Sequence, residues 1–232
     1  KMAINVNDVY KSVLVVLEQQ KRGVITPNEF NRIAAQSQLE IYNQYFDDLN
    51  QLLGMPQTSL AYADRMALLD EKISLFKTTS AAIAESGGFY TVPDDVHELG
   101  SVIYNDTREV QRIQQYEVFT TNASPLTAPT AHYPVYTYES KKLKLFPDTL
   151  NLAVKINYLK SPAKPKWVFN IDKELGHYMY NSIGSVDFEI HSSDQSLLID
   201  KILSYAGVMT KDQFAMSLAN NKEQQINVND QK

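Results

Sequence analysis

Two clusters of ionisable side chains carry residue types suited to chemistry. Asp94, Asp95, His97 and Glu98 set adjacent carboxylates beside an imidazole, the ingredients of acid–base or metal-assisted hydrolysis. Asp187, Glu189 and His191 alternate with Phe188 and Ile190, so a strand would project all three from one face, where they could hold a divalent cation. The first spacing fits no established motif. Val92-Pro93-Asp94-Asp95 reads more simply as a turn whose carboxylates cap backbone N–H groups, and an exposed polar face accounts for positions 187, 189 and 191 without a metal. His132 and His177 stand alone. Gly87-Gly88 is followed by strand signals instead of the Lys and helix start of a phosphate-cradling loop, and no nucleophile elbow surrounds any Ser. Lys141, Lys142 and Lys144 with Tyr136, Tyr138 and Phe146 mimic a basic, aromatic nucleic-acid face. Lysines at a hairpin turn more commonly keep a sheet edge soluble. The expectation is a chain without catalytic residues, cofactor or metal.

The elements that would position these residues begin with one long helix. Thr26 to Leu53 opens on a capping Thr26, a first-turn Pro27 and a capping-box Glu29, then runs without Gly or Pro to Gly54. One apolar row holds Phe30, Ile33, Ala34, Ile41, Tyr45 and Leu52, and a second holds Leu39, Tyr42, Phe46, Leu49 and Leu53. So wide a stripe predicts neighbours on more than one side. Ahead of it, Asn7 or Asp8 is placed to cap a helix to about Lys21, with Tyr10, Val13, Leu14 and Leu17 on one face and Gly23 as terminator. Behind it, Gly54 to Thr58 breaks the chain before a third helix from about Leu60 to Phe76. Ser80 to Gly88 reads as a flexible boundary.

From Phe89 onward β-branched and aromatic residues recur with period two. Val102–Tyr104 and Glu109–Ile113 flank a turn at Asn105-Asp106-Thr107, and Tyr133–Tyr138 and Leu143–Phe146 flank another at Glu139-Ser140-Lys141. Leu152 to Leu159 alternates as a further strand, and Pro-rich Thr121 to Pro134 reads as a long contact loop. Past Trp167 the chain leaves the sheet. The four-residue spacing of Leu175, Met179 and Ile183 suggests a helix between Ile171 and Ile183, followed by helices from Ser192 to Gly207 and Asp212 to Asn221 and a polar tail from Asn221 to Lys232. No internal repeat is read along the chain. The expected class is α+β: a helical bundle built from residues 1–88 and 171–232, with a mainly antiparallel β domain inserted at residues 89–170.

Composition excludes more than it identifies. A chain of 232 residues can bury a substantial core, and its lack of Cys rules out disulfides and thiolate zinc sites. A net charge of −5 argues against a polyanion binder. The longest apolar run, Val13 to Leu17, is far short of a membrane span, and Met2 leads into Ala-Ile-Asn without a basic, then apolar leader, so synthesis in a cytoplasm is expected. Fourteen Tyr against one Trp suit half-wet subunit contacts as well as strands.

A family pattern emerges at Phe89-Tyr90-Thr91-Val92-Pro93-Asp94-Asp95-Val96-His97-Glu98-Leu99-Gly100. Helices, a strand into Pro-Asp, the Ser124–Pro129 loop, the Leu143–Pro147 strand, the Asn157–Pro162 exit and a terminal helix follow the same order as head-to-tail adaptor proteins of short-tailed bacteriophages. The opening segments Asn5–Tyr10 and Arg22–Asn31, with Asp187–His191, more closely resemble virion proteins of crAss-like phages. This resemblance implies a structural virion protein in the neck that assembles as a ring, expected to be a dodecamer, beneath the portal. Such a ring extends the DNA channel without sequence-specific DNA binding and docks the tail, with the C-terminal segment reaching the portal. No catalytic residue is carried over. The alternatives are another neck or tail ring that does not touch the portal, and a metal-dependent hydrolase built on Asp94, Asp95 and His97 or on Asp187, Glu189 and His191.

Overall fold

The computed structural model describes residues 4–19, 25–54, 60–172 and 177–209. In chain order they form α1 (Val6–Gln19), α2 (Pro27–Leu53), α3 (Leu60–Ser74), β1 (Lys77–Thr79), β2 (Tyr90–Thr91), β3 (Val96–Tyr104) and β4 (Arg108–Arg112). Then come a 3-10 turn at Gln115–Glu117, α4 (Val118–Ala123), β5 (Val135–Glu139), β6 (Lys142–Phe146), β7 (Val154–Lys160), β8 (Lys166–Ile171), β9 (Tyr178–Val186), a 3-10 turn at Ser192–Asp194 and α5 (Gln195–Met209). The class is α+β. The expected Gly23 terminator, most of the Gly54–Thr58 break, Leu175, the Asp212–Asn221 helix and the tail to Lys232 lie outside the described residues.

Capping chemistry sets the helix starts. At α2 the Thr26 backbone and hydroxyl both donate to Glu29 Oε2, at 2.9 and 2.7 Å, and the Glu29 N–H returns a bond to the Thr26 hydroxyl. These Thr26 bonds hold the Glu29 carboxyl below its ordinary pKa. For α1 the cap is Asn5, two residues before Asn7 and three before Asp8, the caps expected: its Oδ1 accepts from the Asn7 and Asp8 amides at 2.8 and 3.2 Å.

The chain divides into two units, residues 1–75 with 162–232 and residues 76–161. In the first, α2 packs against α3, α5 and β8, while α1 packs against α5, β8 and β9. Phe30, Ile41, Tyr42 and Ile202 are fully buried there. The second row of α2 is split, with Tyr42 inside and Leu39 and Leu53 44% and 56% exposed. In the expected Ile171–Ile183 helix the described residues from Tyr178 onward are strand instead: β9 pairs antiparallel with β8 in a two-stranded sheet. A four-residue spacing is an even number, so it satisfies strand alternation as well as a helix face, and here the aromatic and β-branched neighbours decide for the strand.

The second unit is a seven-stranded sheet in the order β1-β7-β3-β4-β5-β6-β2. Its pairs are antiparallel apart from β4–β5, which run parallel, and β1 was not foreseen. Along β7, Val154, Ile156 and Tyr158 point into a core with Val102, Val110, Tyr136 and Leu143. Ser80, expected to open a flexible stretch, is buried and its hydroxyl accepts from the Ile156 amide at 2.9 Å. The β5–β6 hairpin turns on Ser140 and Lys141 with φ of 47° and 60°, and Asn105 and Asp106 take the same left-handed conformation after β3.

Buried phenols make the fold sensitive to alkali. Burial raises the pKa of Tyr10, Tyr45, Tyr90, Tyr136 and Tyr158, with Tyr90 pushed up to about 12. In the unfolded chain these phenols ionise near pH ~10. A raised folded pKa means that stability is fully present below the unfolded value and is lost as pH rises toward the folded one. The urea midpoint should therefore be flat to about pH 9 and fall steadily above about pH 10, and an unchanged midpoint at about pH 11 would contradict this.

Candidate functional site

The long helix carries a polar row inside its apolar stripe. Asn31, Gln38 and Tyr45 are spaced by seven residues, two helical turns, and so share one face of α2. Each receives a segment of chain that returns from beyond residue 162. Asn31 acts on the Trp167 backbone in both directions, donating to its carbonyl at 3.1 Å and accepting its N–H at 2.7 Å. Gln38, 2% exposed, donates to the Ala163 carbonyl at 2.7 Å and accepts the Glu189 N–H at 3.0 Å. The Tyr45 hydroxyl donates to Asp194 Oδ2 at 2.5 Å, while Lys72 of α3 donates to Asp194 Oδ1 at 2.8 Å and lies 5.4 Å from the Tyr45 ring centre.

Chemically this last trio is closed upon itself. Burial raises the Tyr45 phenol well above its usual value, and the bond to Asp194 and its charge add to the effect. A phenol held protonated beside a carboxylate already paired with an ammonium cannot act as a base. It ties α2, α3 and the turn before α5 together. Composition and motif spacing gave no hint of this row, yet a signal was present: Asn31 and Gln38 interrupt apolar positions at two-turn intervals.

The acidic clusters do not converge. Asp94 and Asp95 do form a turn, but their carboxylates meet side chains, not backbone N–H groups: Asp94 pairs with Lys141 at 3.2 Å, and the Tyr158 hydroxyl lies 3.2 Å from both Asp95 oxygens. His97 and Glu98 follow on β3, both exposed, where the pairing register with β7 shifts between Val96 and Glu98. Asp187, Glu189 and His191 lie on an extended segment after β9 in which only Phe188 bridges, to Ile4, while Phe188 and Ile190 are fully buried. Each polar member has its own partner. Asp187 accepts the Val6 N–H at 3.0 Å, Glu189 accepts the Ala163 N–H at 2.9 Å, and His191 Nδ1 lies 2.8 Å from the Ser193 hydroxyl. Among the described residues no group of three or more His, Asp and Glu side chains is placed to hold a metal ion. His132 and His177 are both exposed and far apart in sequence.

The basic, aromatic face is electrically balanced. Lys142 lies 5.8 Å from the Phe89 ring centre and Lys144 5.1 Å from that of Phe146, but Lys141 faces Asp94, Lys144 lies 3.9 Å from Asp148 and Lys142 stands opposite Glu139 in the ladder. Three lysines set against three carboxylates leave little excess charge for phosphates. On the other arm of the sheet, β1, β3 and β7 border a groove of about 610 Å³ between Lys77–Thr79, Glu98–Gly100 and Asn157–Leu159. Gly100 allows the strands to close there, since a Cβ would stand 2.7 Å from the Asn157 carbonyl oxygen.

The most conspicuous surface is the segment from the 3-10 turn through α4 to β5. Tyr116, Phe119, Leu126 and Tyr133 are 78%, 86%, 97% and 81% exposed, and Glu117 is the only acidic or basic residue between positions 115 and 131. The segment is ordered by local bonds: the Gln114 N–H donates to Glu117 Oε2 and the Glu117 N–H donates back to the Gln114 carbonyl, the Thr127 hydroxyl donates to the Thr121 carbonyl, and the Arg108 guanidinium donates to the Ala131 carbonyl. The expected long loop, Thr121 to Pro134, thus opens on the last three residues of α4. One near-neutral segment thus turns four large apolar side chains toward solvent. Compared with known proteins, the chain matches no family model and no curated sequence. Among the described residues no helix is long and apolar enough to cross a membrane.

Proposed function

We propose that this chain is a structural virion protein, a head-to-tail adaptor that forms a ring between the portal and the tail of a short-tailed phage and extends the DNA channel. The observation that carries the reading is the exposed apolar segment around Phe119 and Leu126, which belongs to neither core and is ordered without a partner. The order of elements, which resembles that of the adaptors, supports it. In this reading the helices of the first unit form a bundle that supplies lateral faces, about twelve copies close the ring through heterologous contacts, and the 115–133 segment meets the portal or tail. The net charge of −5 suits a channel wall along which DNA slides without sequence-specific binding.

Two measurements test this. Electron microscopy of particles carrying an epitope-labelled chain should place the label at the head–tail vertex, and label spread over the capsid would overturn the assignment. The Phe119→Ser, Leu126→Ser double variant should keep its unfolding midpoint, because both side chains already face water and surface changes are usually within about 0.5 kcal/mol. Its incorporation into particles should fall at least about tenfold, as expected for loss of interface anchors.

A further inference from the structure

The chain has no repeat of domain length but one short identity: Ile4-Asn5-Val6-Asn7-Asp8 recurs as Ile226-Asn227-Val228-Asn229-Asp230. At average residue usage such a five-residue match arises in on the order of one in fifty chains of this length, so a shared constraint is the better explanation. The structure shows what constrains the first copy. The Ile4 N–H donates to the Phe188 carbonyl at 3.3 Å and the Phe188 N–H returns a bond to the Ile4 carbonyl at 3.0 Å. The Val6 N–H donates to Asp187 Oδ1 at 3.0 Å, and Asn7 Oδ1 accepts the Trp167 Nε1–H at 3.1 Å. Ile4 is 4% exposed and Val6 fully buried. Asp187, Phe188 and Trp167 therefore read the extended Ile4-Asn5 and the first two residues of α1, Val6 and Asn7, through backbone pairing, two apolar anchors and one side-chain amide.

Every group used in that docking is present in the second copy. We infer that the site formed by Asp187, Phe188 and Trp167 accepts either pentapeptide, so that residues 226–230 displace residues 4–8 and release the N-terminal end of the chain. Sixteen residues, 210–225, separate α5 from the second copy, enough to span up to about 50 Å when extended. α5 packs against α1, which the first copy opens, so the tether starts from an element in contact with the site's surroundings. The docked form with residues 4–8 in place is one of two states of the same recognition site. Exchange between them decides which terminal segment is offered to a neighbour.

Amide exchange on the full-length chain tests the inference at the Phe188 N–H. In an Ile4→Asp variant the second copy takes over, so protection should fall by less than about tenfold. Adding Ile226→Asp and Val228→Asp should lower it by a further factor of at least about a hundred, with amides in the middle of α2, in the same unit, unchanged as the control for folding. A synthetic Glu223–Lys232 peptide added to the triple variant should restore protection, and a scrambled peptide should not. Equal loss in the single and triple variants, or no restoration by the peptide, overturns the inference. If Ile4→Asp prevents folding, a labelled Glu223–Lys232 peptide is titrated against the unsubstituted chain. Saturable binding, weakened at least about tenfold by scrambling, supports the exchange, and absence of saturable binding refutes it.

Discussion

Replacing Asp194 with alanine should lower the unfolding free energy by about 3–5 kcal/mol, the range for removing one partner of a buried charge pair. The carboxylate is 8% exposed and binds two groups from different helices, the Tyr45 hydroxyl and the Lys72 ammonium. Its loss leaves an ammonium with side-chain exposure of only 15% and a buried phenol without their shared acceptor. The change should appear as a lower urea midpoint at constant slope, since the surface exposed on unfolding hardly alters. Asp106→Ala is the control. Asp106 binds Lys155 at the same 2.8 Å, but Asp106 is exposed and Lys155 only half-buried, and such surface pairs contribute about 0–1 kcal/mol. Similar losses in the two variants would show that the Asp194 network adds no more than a surface pair.

Trp167→Ala should cost about 3–5 kcal/mol by creating a cavity where aromatic rings meet. The indole is 3% exposed, lies 4.3 Å from Tyr10 and 5.8 Å from Tyr180 between ring centres, and stacks on Phe169 at 5.9 Å. It anchors a two-stranded sheet, an element that is marginal by itself. Trp167→Phe separates the two contributions. Phenylalanine keeps most of the packing and drops the Nε1 bond to Asn7, so its cost should be nearer to ~1 kcal/mol. Equal costs for Phe and Ala would mean that the hydrogen bond, not the ring stack, fixes β8.

Where the sequence was legible, the signal was local. Thr26, Pro27 and Glu29 specify the start of α2 by short-range bonding, and Ser192 onward marks the start of α5 within a few residues. The hairpins at Asn105 and Ser140 were readable because both turns lie between alternating runs. What escaped was set by distant partners. β1 is three residues long and exists only as an edge to β7, and β8 depends on Asn31 and Tyr10, more than a hundred residues earlier. The carboxylates of Asp94 and Asp187 were recognisable as polar turn or strand residues, but their partners, Lys141 and Val6, follow only from tertiary pairing. The exposure of Phe119 and Leu126 was likewise invisible in composition, since an apolar residue in a Pro-rich loop is as often tucked under as turned out.

The polar row on α2 also has a consequence in time. Residues 1–75 leave the ribosome long before the segments that Asn31, Gln38 and Tyr45 bind, the last of which is Asp194. At about 5–20 residues per second the interval from residue 75 to residue 194 is roughly 6–24 s. The unit at residues 76–161 is contiguous and can close its sheet once β7 has been made, so the part of the chain synthesised first is completed last. Through that interval a 27-residue helix must keep its shape while the faces that will meet α5 and β8 are still wet. The reciprocal bonds between Thr26 and Glu29 are available from the moment they emerge, and they give the nascent chain a preformed rod on which its later half is laid down.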